Sequence, residues 1–322
     1  MTFYVEDQFF FRYIGCATAA RALYQALELK DSLELSWKRG ATDSDLVHFH
    51  TFGPLALGTL QRSDGIAVLT AHSTPRINQG NIAFANRVNR LYPAIYRRFD
   101  HVVTVSAPCH REITEMVPDI PATLIPNGVD RERFCPDPEK RALFREEFGI
   151  DEDTRVVLSV AQLTPRKGVY DFLHVAAEHP DYHFMWVGGL PYGALSKDYY
   201  RIRTLRERTG PNVTFTGYVD DITAPYAASD LFFMGSHAET FGLVVLEALS
   251  SGLPVIARDI PEFREIFGSS ILYFSTPEEV TPLLDDEDAI NRCRAGARDA
   301  TLPFDIRTIA DRHAALYRSL AS

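Results

Sequence analysis

Cysteine is scarce and scattered. Cys16, Cys109, Cys135 and Cys293 stand far apart with no C-x-x-C spacing, which argues against a zinc cage or a disulfide framework and fits a reducing cytoplasm. No apolar run approaches the roughly 18 residues that a membrane-spanning helix needs. Glu6 and Asp7 sit where a secretory leader would carry basic residues, so any membrane contact is expected to be peripheral. The dinucleotide fingerprint G-x-G-x-x-G is absent. Positive charge is in deficit, with 33 Lys and Arg against 43 Asp and Glu. That balance speaks against a general nucleic-acid binder, which needs a concentrated positive surface to neutralise phosphates.

What is present reads as an ordinary globular composition, 46% hydrophobic and 24% charged. A chain of 322 residues exceeds what one hydrophobic core organises, so two domains are expected. Short apolar runs alternate with longer amphipathic segments, the pattern of α/β layers around mostly parallel strands. In the first half the runs predict strands at residues 2–5, 46–50, 67–71, 101–106 and 122–125. In the second half they predict strands at 156–160, 184–187, 213–216, 231–234, 254–257 and 272–274. Between the two series, Asp137-Pro138-Glu139 has the form of a helix start, and residues 134–153 read as an interdomain connection. The expected division is therefore 1–150, 151–304, and a final helix at 305–322. In that helix Ile306, Ile309, Ala310, His313, Leu316, Tyr317 and Leu320 recur at helical spacing and should pack back on the body.

Open parallel sheets bind ligands beyond the carboxyl ends of their strands, so the loops that follow the predicted strands carry the candidate chemistry. The most informative runs from Gly235 to Leu249 and places Glu239 in a loop and Glu247 about two turns into a helix. The amides of Phe241, Gly242 and Leu243 would stand at the helix start, where hydroxyls and anions bind. A carboxylate can accept two hydrogen bonds from a vicinal diol. The plainer alternative is that Glu239 is a cap and Glu247 a solvated helix residue. The loop after residues 156–160 carries Arg166 and Lys167, two cations suited to a developing diphosphate charge, or else a solvated basic turn. Arg12-Tyr-Ile-Gly15 precedes a small-residue helix, and Gly15 would let backbone amides approach a phosphate. His72 follows the strand at 67–71 and is a candidate for the site, with a packed structural histidine as the alternative; His48 and His50 lack a companion cysteine or carboxylate, and no metal is expected.

One stretch reverses the overall charge. Between Thr74 and Arg111 stand Arg76, Arg87, Arg90, Arg97, Arg98 and Arg111 against Asp100 alone. With Ile82, Phe84, Val88, Leu91 and Ile95 interleaved, it predicts a basic amphipathic helix in which Arg87, Arg90, Arg97 and Arg98 meet an anionic bilayer, or simply face water.

Taken together, these residues resemble the retaining glycosyltransferases of the GT-B fold known as family 4, over nearly the whole chain. Glu239-Thr-Phe-Gly-Leu-Val-Val-Leu-Glu247 is similar to that family's Glu-x7-Glu motif, Asn127-Gly-Val-Asp130 to its Asn-Gly-Val-Asp segment, and Gly252-Leu-Pro-Val-Ile256 to its Gly-x-Pro-Val-Ile entry. Within the family the chain is most similar to bacterial diacylglycerol glucosyltransferases, through His50-Thr-Phe-Gly-Pro54, Ala71-His-Ser-Thr74, Arg166-Lys-Gly168 with Asp171-Phe172, the segment from Pro211 to Tyr218, and Arg258-Asp-Ile-Pro261. It departs from those lipid enzymes in having Phe241 where they carry a glutamate, and from the wider family in having Gln162 where an arginine is usual.

The resemblance implies two Rossmann-like domains facing each other across a cleft, an acceptor-side domain first and a nucleotide-sugar domain second. It implies that Glu247 holds the donor ribose, that Glu239 and the amides of Phe241 to Leu243 hold the sugar, and that Arg166 and Lys167 take the diphosphate beside Gly15. His72 then lines the sugar pocket. It further implies a metal-independent hexosyltransferase that uses a nucleotide diphosphate sugar such as UDP-glucose and no other cofactor. The expected acceptor is a diacylglycerol-type lipid at the inner face of the membrane. The alternatives are a soluble glycan acceptor, a non-catalytic sugar-nucleotide-binding partner subunit, or an epimerase of the same shape.

Overall fold

The computed structural model describes residues 1–6, 15–30, 33–38, 43–79, 85–190 and 196–322. The chain forms two compact units. The first is Met1–Asp130 together with Phe304–Ser322, and the second is Arg131–Pro303.

The first unit holds a six-stranded sheet in the order β2-β1-β3-β4-β5-β6. Its strands are β1 Thr2–Tyr4, β2 Ser36–Trp37, β3 Leu46–Phe49, β4 Ile66–Ala71, β5 His101–Thr104 and β6 Ala122–Leu124. The second unit orders its strands β12-β11-β10-β7-β8-β9, from β7 Val156–Val160, β8 His183–Val187, β9 Val213–Gly217, β10 Leu231–Met234, β11 Val255–Arg258 and β12 Leu272–Phe274. Every pairing between these strands is parallel. Strands β3, β5 and β10 are buried along their whole length, which is why their apolar residues do not alternate with solvent-facing polar ones. Edge strand β2 is only two residues long, half-buried, and begins with a serine; it went unpredicted because so short a segment has no period to detect.

The division lies at Asp130/Arg131 and not at residue 150. The helix Pro138–Phe148 starts as expected, with Asp137 accepting from the Lys140 amide at 3.0 Å, but it is no free connection. It packs on the helix Thr223–Ala228. Arg145, 2% exposed, gives five hydrogen bonds to the carbonyls of Ala228, Asp151, Glu152 and Thr154 and to the Asp230 carboxylate. A cation used this way stitches the segment into the second unit's core.

The last helix, Ile306–Ala321, buries Ile309, Ala310, Ala314 and Tyr317 against Leu23 and Leu27 of the helix Gly15–Glu28 and against Phe3, Leu46 and Val68. Val129 is bridged to Asp305 in parallel, and Gly128 lies directly beneath Ile306. Residues 304–322 are therefore an integral wall of the first unit.

The expected basic amphipathic helix is not a single element. The described residues of that stretch form three five-residue helices, Pro75–Gln79, Ala85–Asn89 and Tyr92–Tyr96; Ile82 and Phe84 lie outside the described residues. Pro93 sits in the first turn of the third, where its missing N–H is tolerated but a helix arriving from Leu91 cannot run through it. The inward face is aromatic: Tyr92 and Tyr96 pack edge-on against Phe52 with ring centroids 5.1 and 5.7 Å apart.

Candidate active site

In the second unit the chain runs from β7 outward to β8 and β9, then returns to lay β10 against the other side of β7, Leu231 pairing Val157 and Phe232 pairing Leu158. The carboxyl ends of β7 and β10 thus form the topological switch point, where open α/β sheets bind their ligands. The Arg166-Lys167 loop and the Glu239 loop leave the sheet at this point.

After β7 the chain makes a short 3-10 turn, Pro165–Lys167, and enters the helix Val169–Glu178 through Gly168. Gly168 has φ of 80°, and a Cβ there would lie 2.3 Å from the carbonyl oxygen of Gly235. Glycine is required for both the left-handed conformation and the close approach of two main chains. His237 N then donates to Arg166 O at 2.8 Å and joins the loops. Gly168→Ala is expected to cost about 3 kcal/mol or more, since strain and a backbone clash add. Denaturant unfolding would measure it, and turnover should fall with stability because the cations ride on the same turn.

The two cations converge on one carboxylate. Lys167 Nζ bonds Glu239 Oε1, and Arg166 Nη1 lies 3.5 Å from the same oxygen while donating to Ala238 O. All three side chains are largely buried, 11–15% exposed. Burial alone would raise the Glu239 pKa, but Lys167 and Arg166 outweigh it and hold the carboxyl below its ordinary value. Burial, reinforced by Arg166, brings Lys167 below the usual lysine range despite Glu239. Two cations thus meet on one carboxylate, an arrangement suited to an anionic ligand.

Beyond Glu239, the helix Leu243–Ser250 begins at Gly242 with φ of 91°, where a Cβ would meet the Phe263 ring at 2.6 Å. A helix start leaves amides with no carbonyl one turn back, and here the first turn closes with Val245 N donating to Gly242 O at 2.9 Å. The Phe241 side chain is 1% exposed and faces Phe267 edge-on, so what Phe241 can offer a ligand is main chain. Glu247 is 5% exposed, and burial raises its carboxyl to about 7 even though the Tyr226 hydroxyl and Arg133 act to lower it.

Several residues with no role assigned from sequence complete the frame. Arg258, at the end of β11, donates to Gly235 O at 3.2 Å, to Ser275 O at 2.7 Å and to Asp171, with its guanidinium over the Phe274 ring. Asp171 lies in the first turn of the helix behind Lys167, and His237 Nε2 approaches it at 3.4 Å. Their only signal in the sequence was their place within the family-like segments. Gln162 is half-buried in the loop after β7, its carbonyl accepting from Thr164 N at 2.9 Å.

The first unit has its own switch point, between β1 and β3. Gly15 is the first residue of the helix that follows β1 and is exposed, while residues 12–14 of its loop lie outside the described residues. His72 follows β4 and shares a 3.0 Å contact, Nε2 to Nδ1 of His50. Burial lowers His72 to about 4, which leaves a neutral imidazole at physiological pH, able to hydrogen-bond but not to act as an acid. His48, 0% exposed, is fully engaged by Tyr317 and Thr70, each at 2.7 Å. On the basic stretch, Arg87, Arg90, Arg97 and Arg98 are all exposed, and Val88 and Leu91 are 36% and 58% exposed among them. Arg97 pairs with Asp119 at 3.0 Å.

Fold and site together define a two-unit, Rossmann-like α/β protein of the GT-B class. The family described as glycosyl transferases group 1 matches residues 140–297, and glycosyltransferase family 4 matches residues 15–133. Among curated proteins, the chain is 30% identical to alpha-galactosylglucosyldiacylglycerol synthase of Streptococcus pneumoniae, covering 78% of this chain and 70% of that protein. It is 28% identical to processive diacylglycerol alpha-glucosyltransferase of Acholeplasma laidlawii, over 76% and 75% of the two chains. Among solved structures, HepE of Anabaena in complex with UDP and glucose superposes with a TM-score of 0.81 at 19% identity, over 99% of this chain and 98% of that one. The chain belongs to the group 1 glycosyltransferases.

Proposed function

We propose that this chain transfers glucose from UDP-glucose to the hydroxyl of a diacylglycerol-type membrane lipid, with retention of anomeric configuration and without a metal ion. The observation that carries the reading is the convergence of Lys167 and Arg166 on Glu239 at the β7/β10 switch point. A leaving diphosphate gains charge as the glycosidic bond breaks, and preorganised cations in a dry site stabilise that change. Lys167 and Arg166 supply the charge that a divalent ion would otherwise bring.

In this reading Glu247 accepts the ribose hydroxyls, and Glu239 with the amides at the start of Leu243–Ser250 accepts and donates to the hexose. The bond from C1 to the diphosphate oxygen breaks while the lipid hydroxyl oxygen bonds C1 on the same face. Its proton passes to a phosphate oxygen of the departing UDP. No carboxylate base is needed. The lipid acceptor is supported by the names of the two curated relatives, and by the exposed Val88 and Leu91 set among Arg87, Arg90 and Arg98, the makeup of a surface that lies on anionic lipid at the inner face of a membrane.

The test is incubation of purified protein with UDP-glucose and vesicles containing diacylglycerol. UDP release, an α-linked glucolipid and a rate unchanged by EDTA are expected. Binding of UDP-glucose without UDP release on any lipid or glycan would overturn the reading in favour of a non-catalytic binder. Flotation on phosphatidylglycerol vesicles is expected for the wild type and lost when Arg87, Arg90 and Arg98 are replaced by glutamate. Unaffected flotation removes the membrane contact.

A further inference from the structure

Glu247 is a buried carboxylate on the second turn of Leu243–Ser250, with no water sheath to fix its orientation. One oxygen is held from inside the protein: the Tyr226 hydroxyl donates to Glu247 Oε2 at 2.8 Å. Tyr226 is 0% exposed, on the helix Thr223–Ala228. Its ring is fixed by Phe134, edge-on at 5.7 Å, and by Phe232 at 5.8 Å. A phenol has a single proton to give. The alternative acceptor, Val244 O, is farther away at 3.3 Å and uncharged, so an ionised Glu247 captures the bond. Among the described residues, the charged group that bears on the pair is Arg133, on the segment before the helix Pro138–Phe148.

We propose that Tyr226 is a positioning residue for the nucleotide of the donor: by holding one oxygen of Glu247 it sets the carboxylate plane, so that the other oxygen accepts from a vicinal diol of the ligand. The inference rests on the donor assignment above, and it makes the ribose 2′-hydroxyl a recognised group. A carboxylate pinned at one oxygen presents a fixed fork, whereas an unpinned one loses that geometry and the discrimination that follows from it. Tyr226 also favours the ionised state that the fork requires. Burial places Glu247 at about 7, with Tyr226 the largest influence opposing it, and loss of the hydroxyl moves the carboxyl higher.

Calorimetric titration with UDP and with 2′-deoxy-UDP, across a pH series, tests the idea on the wild type, Tyr226→Phe, Glu247→Gln and the double variant. In the wild type, UDP affinity should rise with pH through about 7, and the deoxy ligand should bind more weakly. Tyr226→Phe should weaken UDP binding about tenfold near neutral pH, the value of one hydrogen bond to a charged group. Its midpoint should move to higher pH, the gap should narrow in alkali, and the preference for UDP over the deoxy ligand should shrink. At saturating donor, kcat should be unchanged. Glu247→Gln should flatten the pH dependence, and in that background Tyr226→Phe should cost less than it does in the wild type, because the bond then lost is to a neutral amide oxygen.

A pH-independent loss in Tyr226→Phe, or a loss that adds to that of Glu247→Gln, overturns the positioning role. The thermal stability of the two single variants across the same pH series reads the Tyr226–Glu247 coupling without a ligand, and an unchanged pH dependence in Tyr226→Phe also overturns it. A wild type that is folded but binds no UDP at any pH overturns the donor assignment itself.

Discussion

Glu247→Gln is expected to weaken donor binding on the order of a hundredfold and yet to make the protein more stable at pH 8. Binding is lost because hydrogen bonds to a charged acceptor contribute about 1.5–3 kcal/mol each and the diol makes two. Stability is gained because an ionised, buried carboxylate is costly to keep. Its pKa rises from 4.5 to about 7 on folding, so between those values the folded chain holds more protons than the unfolded one. Stability therefore falls as pH climbs through that window, and the full penalty stands above about 7. A shift of that size corresponds to on the order of 3 kcal/mol, partly recovered by an uncharged isostere that still accepts from Tyr226. Thermal denaturation at pH 8 and pH 4 decides the matter: a higher midpoint for the variant at pH 8 only is the expected result. Equal or lower midpoints at both would show that Glu247 is not the strained group described here.

Lys167→Ala is expected to lower kcat by about a hundredfold to a thousandfold with a smaller effect on donor affinity, because the charge it meets grows in the transition state. The packing adds a second consequence. Without Lys167 the buried Glu239 keeps, among the described residues, Arg166 at 3.5 Å and the Ser236 hydroxyl, and a carboxylate left underpaired in the interior costs about 3–5 kcal/mol. Replacing Glu239 with glutamine in the same chain should restore stability while turnover stays low. Steady-state kinetics and unfolding curves on the single and double variants separate the two effects. Recovery of kcat in the double variant would mean that Lys167 serves Glu239 and not the leaving group.

The architecture was largely legible because strands of a parallel sheet concentrate apolar residues into short segments, and eleven of the twelve strands could be placed in this way. The pairing of the Lys167 and Glu239 loops was legible only as two separate loops. What joins them is strand order, β10 returning to lie against β7, and order across a sheet leaves no trace in local sequence. Arg145 illustrates a different blindness. On a helix rich in charge it reads as a solvated residue, whereas its guanidinium is buried among carbonyls. Tyr226 lies in Ala-Pro-Tyr-Ala-Ala, 21 residues before the carboxylate it holds, and no spacing rule connects them. The basic stretch breaks before Tyr92 because Pro93 decides where a helix can begin, a constraint that charge and apolar spacing do not carry.

The first unit is built from both ends of the sequence, with Ile309 and Tyr317 seated in a core that includes Phe3 and Val68. During synthesis, residues 1–130 must then wait with an apolar face uncovered while Arg131–Pro303 emerges and closes its own core. The order of completion is the reverse of the order of translation: the second unit can finish first, and the seat of the last helix stays exposed until residues 304–322 emerge. That seat is where a chaperone would be expected to engage the nascent protein.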